Sequence, residues 1–150
     1  MDQDLALDRY TEGARRALFY ARIALSEHGG PAISDAHVLL GILKAAPELQ
    51  PVIRPRVQIQ RLSECLVGAL AAPALLPTSV EVPFDATAQT ALLAAQAVAD
   101  RFGQVDVTAA HLFLAVLDSK AAVTGTCLRS AGIDLAATAE AVATFVREGR

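Results

Sequence analysis

The stretch ISDAHVLLGIL, at positions 33–43, decides the fold, because the chain repeats its pattern as VTAAHLFLAVL at positions 107–117. In both stretches a Ser or Thr precedes a His by three positions, and a run of apolar residues follows. A Ser or Thr at that place is typical of a helix N-cap, and the apolar run is typical of a helix buried on nearly all sides. Two such helices at an offset of 74 residues indicate a tandem duplication.

The same offset holds towards the N-terminus of each copy. YTEGARRAL at positions 10–18 corresponds to FDATAQTAL at positions 84–92. Apolar residues recur there at steps of three and four, which predicts an amphipathic helix at the start of each copy. Thr11 can cap the first of these helices. Each copy therefore begins with a helix that precedes its buried helix.

These patterns predict an all-α fold of eight helices, arranged as two tandem four-helix repeats with approximate twofold pseudosymmetry. We expect a single domain over 1–150, with repeat one at about 8–70, a Pro-rich connector at about 71–82 and repeat two at about 83–148. The helices expected in repeat one begin after Thr11, begin after Ser34, lie between Pro47 and Pro51, and span about 57–70. Those expected in repeat two span about 85–102, begin after Thr108, span about 121–131, and run from Asp134 to about 147.

The composition excludes several classes of protein. The chain is 53% hydrophobic and 19% charged, with a net charge of -3, so it is too apolar for a disordered protein. The acidic balance and the lack of a basic cluster argue against a nucleic-acid partner. Its apolar stretches are interrupted by Pro, Gly or charge, which argues against a membrane span. We expect a cytoplasmic protein.

The two cysteines, Cys65 and Cys127, lie far apart and belong to no CxxC motif. No His stands near them at the spacing of a zinc site. We interpret both as small buried hydrophobic residues and expect neither a disulfide framework nor a zinc site.

His37 and His111 occupy equivalent positions, so a metal site or a catalytic base is one interpretation of them. A third ligand is missing, because His28 is the only other histidine and belongs to a loop. We favour a structural role, in which each imidazole bonds a backbone carbonyl of the preceding loop and holds that loop against the helix. The serines lack the glycines of a nucleophile elbow. We therefore expect no catalytic residue, no metal and no cofactor.

Taken together, the two copies of this pattern resemble the double Clp N-terminal repeat, the helical module at the front of Clp-type AAA+ protein unfoldases. The resemblance covers about residues 8–148 and implies a non-catalytic module that receives substrates and adaptor proteins. The chain has no Gly-x-x-x-x-Gly-Lys-Ser/Thr loop to bind nucleotide phosphates. We therefore expect a free-standing accessory, adaptor-like or regulatory partner of a Clp chaperone–protease system. It would bind a Clp ATPase, the Clp protease core or an adaptor protein.

Two alternatives remain open at this point. The chain could sequester peptides or small hydrophobic ligands of the unfoldase module, or it could be a self-associating helical scaffold. Neither alternative involves nucleic acid or a membrane.

One departure from the family pattern concerns phosphorylated arginine. In unfoldase modules that capture it, the residue before the motif His is a Glu in both repeats. Here Ala36 and Ala110 stand at those positions. Asp35 could substitute only if the start of its helix were rotated, so we expect no phosphoarginine binding of the family type.

A second departure suggests a contact surface. Many relatives carry two consecutive Glu where this chain has Ile23-Ala24 and Ala97-Val98. Phe19 and Ile23 would form an apolar patch, and exposed apolar patches often mark contact surfaces. The resemblance also implies that partners bind where the first helices of the two repeats approach each other. The candidate partner-binding residues are Leu7, Tyr10, Phe19, Ile23, Phe84, Gln89 and Leu92.

Overall fold

The computed structural model describes residues 7–53, 59–70, 83–119 and 122–148. Repeat one contains α1 (Glu12–His28), α2 (Asp35–Ala45), a 3-10 helix (Pro47–Val52) and α3 (Ile59–Ala69). Repeat two contains α4 (Ala86–Arg101), α5 (Ala109–Leu117), α6 (Ala122–Ser130) and α7 (Leu135–Arg147). A single 3-10 turn, Leu7–Arg9, precedes α1.

Each repeat therefore contributes four helices, and the predicted all-α fold of eight helices is confirmed. The third helix of repeat one is a 3-10 helix, with Pro47 in its first turn and Pro51 inside it. Proline is tolerated in a first turn, but inside a helix it lacks the N–H that an α-helical bond needs, so Pro51 prevents a regular α-helix. The expected connector at 71–82 and the first residues of the helix expected at 57–70 lie outside the described residues.

Backbone hydrogen bonds join the two repeats at two places related by the internal symmetry. In each place, the segment before the first helix of one repeat pairs with the segment before the second helix of the other repeat. Each donor and each acceptor in one place lies 74 residues from its counterpart in the other. The pairing shows that the repeats are related by an approximate twofold axis. The four N–H···O bonds are Thr11 to Val107 (3.0 Å), Val107 to Arg9 (2.9 Å), Asp85 to Ile33 (2.8 Å) and Ile33 to Pro83 (3.0 Å).

Side-chain caps begin five of the α-helices, so the helix starts are encoded locally. Each capping oxygen accepts a hydrogen bond from a backbone N–H three residues later. Such a bond satisfies one of the amide groups that have no partner inside the helix. The caps are Thr11, Ser34, Asp85, Thr108 and Asp134.

Helices α1 and α2 approach each other closely at Gly41. A Cβ atom added to Gly41 would lie 2.1 Å from the Ala17 carbonyl oxygen and 2.8 Å from the Ala21 nitrogen. Both alanines are fully buried. The absence of a side chain at Gly41 therefore allows the backbones of the two helices to pack against each other.

The interpretation of the cysteines as unpaired buried residues is wrong, because Cys65 of α3 and Cys127 of α6 form a disulfide. Their Cα atoms are 5.5 Å apart, within the usual range for such a bond. The bond links one helix of each repeat and closes a loop with a sequence separation of 62 residues. The cysteines are far apart in sequence but adjacent where α3 packs against α6.

The disulfide also bears on localisation. Disulfides persist in oxidising compartments and are rare in the reducing cytosol, so a cytoplasmic location stays a prediction. Among the helices of residues 7–53, 59–70, 83–119 and 122–148, none is long and apolar enough to cross a membrane.

Candidate protein-binding site

Two of the proposed contact residues, Tyr10 and Leu92, lie inside the protein. Tyr10 is 3% exposed, and its hydroxyl donates a hydrogen bond to the Leu92 carbonyl oxygen at 2.8 Å. Burial raises the pKa of the Tyr10 hydroxyl well above its usual value, and the nearby Arg9 charge opposes that shift only in part. Leu92 is fully buried. Neither side chain can contact a partner, so the prediction of both as binding residues is wrong.

Leu7, Phe84 and Gln89 lie at the seam between the repeats. Leu7 and Phe84 are half-buried and pack against the core. The Gln89 side-chain amide donates to the Phe84 carbonyl oxygen at 2.9 Å, as its counterpart Arg15 donates to the Tyr10 carbonyl oxygen at 3.0 Å. These three side chains hold the segments before the first helices in place, and only part of their surface is available to a partner.

Phe19 and Ile23 form the accessible part of the predicted surface. Phe19 is 57% exposed, and its ring meets the Tyr20 ring edge-on at 5.6 Å between centroids. Ile23, one turn later, is half-buried and lines a shallow groove between α1 and α2. Leu93, the counterpart of Phe19 in repeat two, is 47% exposed. Sequence reasoning missed Leu93, although the 74-residue offset points to it.

The two motif histidines have structural partners in the loops that precede their helices. In α2, the His37 Nδ1 atom accepts a hydrogen bond from the Ser34 N–H at 2.9 Å, and its Nε2–H donates to the Gly29 carbonyl oxygen at 2.8 Å. In α5, the His111 Nδ1 atom accepts from the Thr108 N–H at 2.9 Å. Each imidazole therefore joins its helix to the loop before it, as the structural interpretation of the two histidines proposed.

The loop partner of His111 differs from the one expected. Its Nε2 atom lies 2.7 Å from the Oε1 atom of the Gln104 side chain, where a backbone carbonyl was expected. In the same loop, the Arg9 side chain donates to the Gln104 and Val105 carbonyl oxygens, the latter at 2.8 Å. Gln104 thus supplies the oxygen for His111 from its side chain.

Acidification is expected to destabilise the protein through these histidines. Burial lowers the pKa of His37, against the raising effects of the Gly29 hydrogen bond and the charges of Asp85 and Asp35. Burial, assisted by the Arg9 charge, lowers the pKa of His111. In the unfolded chain each His titrates near about pH 6.5. The folded state therefore resists protonation, and unfolding takes up protons below that pH.

The free energy of unfolding should therefore be at its full value above about pH 6.5 and should fall as the pH decreases towards the folded-state pKa values. Urea denaturation between about pH 5 and pH 7.5 measures this dependence. A variant with both His37→Gln and His111→Gln should be less stable at neutral pH but should show a flatter profile. An equally steep profile in the variant would contradict the assignment to these histidines.

A buried carboxylate, Asp35, joins the two repeats next to His37. Asp35 is 3% exposed at the start of α2. Its carboxylate accepts hydrogen bonds from the Thr124 hydroxyl at 2.7 Å and from the Ser119 hydroxyl. Its N–H donates to the Thr87 hydroxyl oxygen at 3.0 Å. Repeat two therefore supplies every one of these partners of Asp35.

Sequence reasoning did not identify this polar contact. Ala109 occupies the position equivalent to Asp35 in repeat two. The sequence offered one indication of this contact: a charged residue, Asp35, stands in repeat one at a position where repeat two has an alanine. The partners of Asp35 could not be identified, because Ser119 and Thr124 lie more than 80 residues away in the sequence.

The chain is similar in sequence to one protein family and in fold to several solved structures. Residues 83–150 match the Clp repeat (R) N-terminal domain family. The chain has the Clp N-terminal fold. Its second repeat therefore resembles the family in sequence, while the fold likeness extends over both repeats.

Three solved structures have folds similar to that of the chain. The N-terminal domain of ClpD from Arabidopsis thaliana is 18% identical, with a TM-score of 0.74 over 93% of this chain and 99% of that chain. The Hsp104 N-terminal domain from Candida albicans is 14% identical, with a TM-score of 0.76 over 89% of this chain and 88% of that chain. A chain from a malarial protein secretion system is 15% identical, with a TM-score of 0.72 and coverage of 93% of each chain. No curated protein sequence matches the chain significantly.

The chain is expected not to bind phosphoarginine in the manner of the family that it resembles. Ala36 and Ala110 are buried and carry no acidic group, and the Asp35 carboxylate is engaged by Ser119 and Thr124. Titration calorimetry with an arginine-phosphorylated protein should therefore give no phosphate-dependent heat of binding. Binding that disappears when the same protein is dephosphorylated would contradict this prediction.

Proposed function

We propose that the chain is a non-catalytic protein-binding module that acts as an accessory, adaptor-like or regulatory partner of a Clp chaperone–protease system. The observation that carries the proposal is the exposed Phe19 beside Ile23 on α1. A large aromatic side chain that is 57% exposed buries substantial apolar area when a partner covers it. The Clp N-terminal fold supports the same proposal, because the modules that the chain resembles receive substrates and adaptors.

The contacts that join the two repeats and hold the start of α1 support a binding role for the surface around Phe19. The repeats are joined by the backbone pairings, the Asp35 contacts and the disulfide. Helix α1 also begins at a capped, hydrogen-bonded segment. A preorganised surface loses little conformational freedom on binding, so more of the contact free energy contributes to affinity.

A pull-down from native extract, with the protein as bait, tests the proposal. We expect a Clp ATPase, the protease core or a Clp adaptor to be recovered with the unaltered protein and lost with Phe19→Asp. The stability of that variant should change by less than about 0.5 kcal/mol, because the ring is largely in solvent. Val105→Asp is a matched control, since Val105 is 76% exposed and lies in the loop between α4 and α5.

The outcome of the control decides how the result is interpreted. The Val105→Asp bait should recover the same Clp component as the unaltered protein. If no Clp component is recovered with the unaltered protein, under conditions that preserve other assemblies, the proposed role in a Clp system is wrong. Phe84→Asp is unsuitable for this test, because Phe84 packs against the core.

A further inference from the structure

A large groove lies on repeat two, apart from the surface around Phe19. It has a volume of about 910 Å³ and is bounded by α4, α5 and α7. Alanines make up half of the lining residues on α4 and α7, and apolar residues of α5 lie between these two walls. The residues that shape it include Ala94, Ala97, Leu114, Ala136, Ala139 and Ala143.

Repeat one has an equivalent but much smaller groove of about 240 Å³. Each residue that lines this small groove has a counterpart, 74 positions later, that lines the large one. Ala94 and Ala97 replace the bulkier Tyr20 and Ile23 at two of these positions. The large groove therefore results in part from specific losses of side-chain volume in repeat two.

The groove of repeat two also has basic side chains at one end. Arg101 stands where repeat one has Glu27. Arg147 of α7 lies over the ring of Phe102, 5.7 Å from its centroid, so the C-terminal ends of α4 and α7 are at the same end of the groove. Within residues 7–53, 59–70, 83–119 and 122–148, neither arginine forms an ion pair.

The acidic side chains of the groove lie farther from this end. The Phe102 ring approaches the His111 ring of α5, at 6.1 Å between centroids, so the start of α5 is near the arginines. Asp118 follows the other end of α5. Glu140 lies two turns before Arg147 in α7. An occupant would therefore meet a positive field at the Arg101 and Arg147 end.

We propose that this groove binds an amphipathic helix of a partner protein, with acidic side chains of that helix against Arg101 and Arg147. The alanines on α4 and α7 recur at helical spacing, and small residues allow another helix to approach closely. The stripe from Ala136 to Arg147 extends over roughly 17 Å, which suits a helix of about eleven residues. Apolar residues at i, i+3, i+4 and i+7 of the partner would cover the alanines.

Synthetic peptides test this proposal without any Clp component, so its failure is distinguishable from failure of the proposed Clp role. The probe is a fluorescein-labelled 14-residue helical peptide with Leu at i, i+3, i+4 and i+7 and two Glu at one end. The matched probes carry Gln or Lys in place of the two Glu. Fluorescence anisotropy with the full chain should show binding of the Glu peptide, about fivefold weaker binding of the Gln peptide, and still weaker binding of the Lys peptide.

Repeat one supplies the diagnostic substitutions. Ala94→Tyr places in the large groove the side chain that Tyr20 provides at the equivalent position of the small groove. Because this side chain would occupy part of the groove, the variant should bind all three peptides more than about tenfold more weakly. Arg101→Glu introduces the charge of Glu27 and should reverse the preference between the Glu and Lys peptides. Because Arg101 is exposed, this variant keeps the test valid even if Ala94→Tyr fails to fold.

Matched controls lie outside the groove. Gln60→Tyr and Arg61→Glu, both at exposed positions of α3, should leave all affinities unchanged. Equal affinity for the Glu and Gln peptides, unchanged binding by Ala94→Tyr, or no binding of any peptide would overturn the proposal. Sedimentation that shows a dimer of the unaltered chain and a monomer of Ala94→Tyr would also overturn it, because a second copy would then occupy the groove.

Discussion

Removal of the Cys65–Cys127 disulfide is expected to lower the free energy of unfolding by about 4 kcal/mol. The bond closes a loop with a sequence separation of 62 residues, and it restricts the unfolded chain far more than the folded one. It also joins α3 to α6 across the two repeats. Because domains of this size are stable by only about 5–15 kcal/mol, this loss is a large fraction of the total.

Urea denaturation of a variant with both Cys65→Ser and Cys127→Ser measures the effect. The reduced, unaltered protein should lose a similar amount of stability, whereas a reductant should leave the variant unchanged. Thiol titration in denaturant should detect no free thiol before reduction. Two free thiols in the purified, unreduced protein would contradict the disulfide.

Gly41→Ala is expected to destabilise the protein by about 3 kcal/mol. The new Cβ atom would lie 2.1 Å from the Ala17 carbonyl oxygen and 2.8 Å from the Ala21 nitrogen. Both contacts are to backbone atoms, so a change of rotamer cannot relieve them. The helices α1 and α2 would have to move apart, which would loosen a close-packed part of the core.

The control for this substitution is Gly68→Ala in α3. A Cβ atom at Gly68 would have nothing within 4 Å, and the residue is exposed. Because alanine favours helix more than glycine does, this variant should be more stable by about 0.5–1 kcal/mol. Thermal or urea unfolding of both variants should therefore give changes of opposite sign. A neutral Gly41→Ala would show that the helix pair tolerates separation.

Gly41 illustrates the limit of reasoning from the internal repeat. Its counterpart in α5 is Ala115, so comparison of the two copies suggests that alanine would be accepted at position 41. The structure predicts the opposite, because the space beside Gly41 is occupied by the backbone of α1. Symmetry in sequence therefore does not imply equal packing distances in the two repeats.

The predicted binding residues also show the difference between what a local sequence pattern indicates and what tertiary packing decides. Phe19 is exposed and Ile23 is half-buried, so both are available to a partner, and their role in binding stays a prediction. Tyr10 and Leu92 were misassigned, because their exposure depends on how the other repeat covers them. The groove beside α4 could not be located, since α7 forms one of its walls and no local pattern specifies where that helix packs.

The sequence by itself determined the two repeats, the order of their helices, the caps at Thr11, Ser34, Thr108 and Asp134, and the structural role of His37. The repeats follow from a pattern that recurs at a constant offset of 74 residues. The other features rest on side chains and amide groups three to eight residues apart, so residue type and spacing are sufficient to predict them. Only the tertiary structure decided the disulfide, the partners of Asp35, the burial of Tyr10 and the groove of repeat two. Each of these joins residues that are distant in sequence, and the relative placement of the helices brings them together.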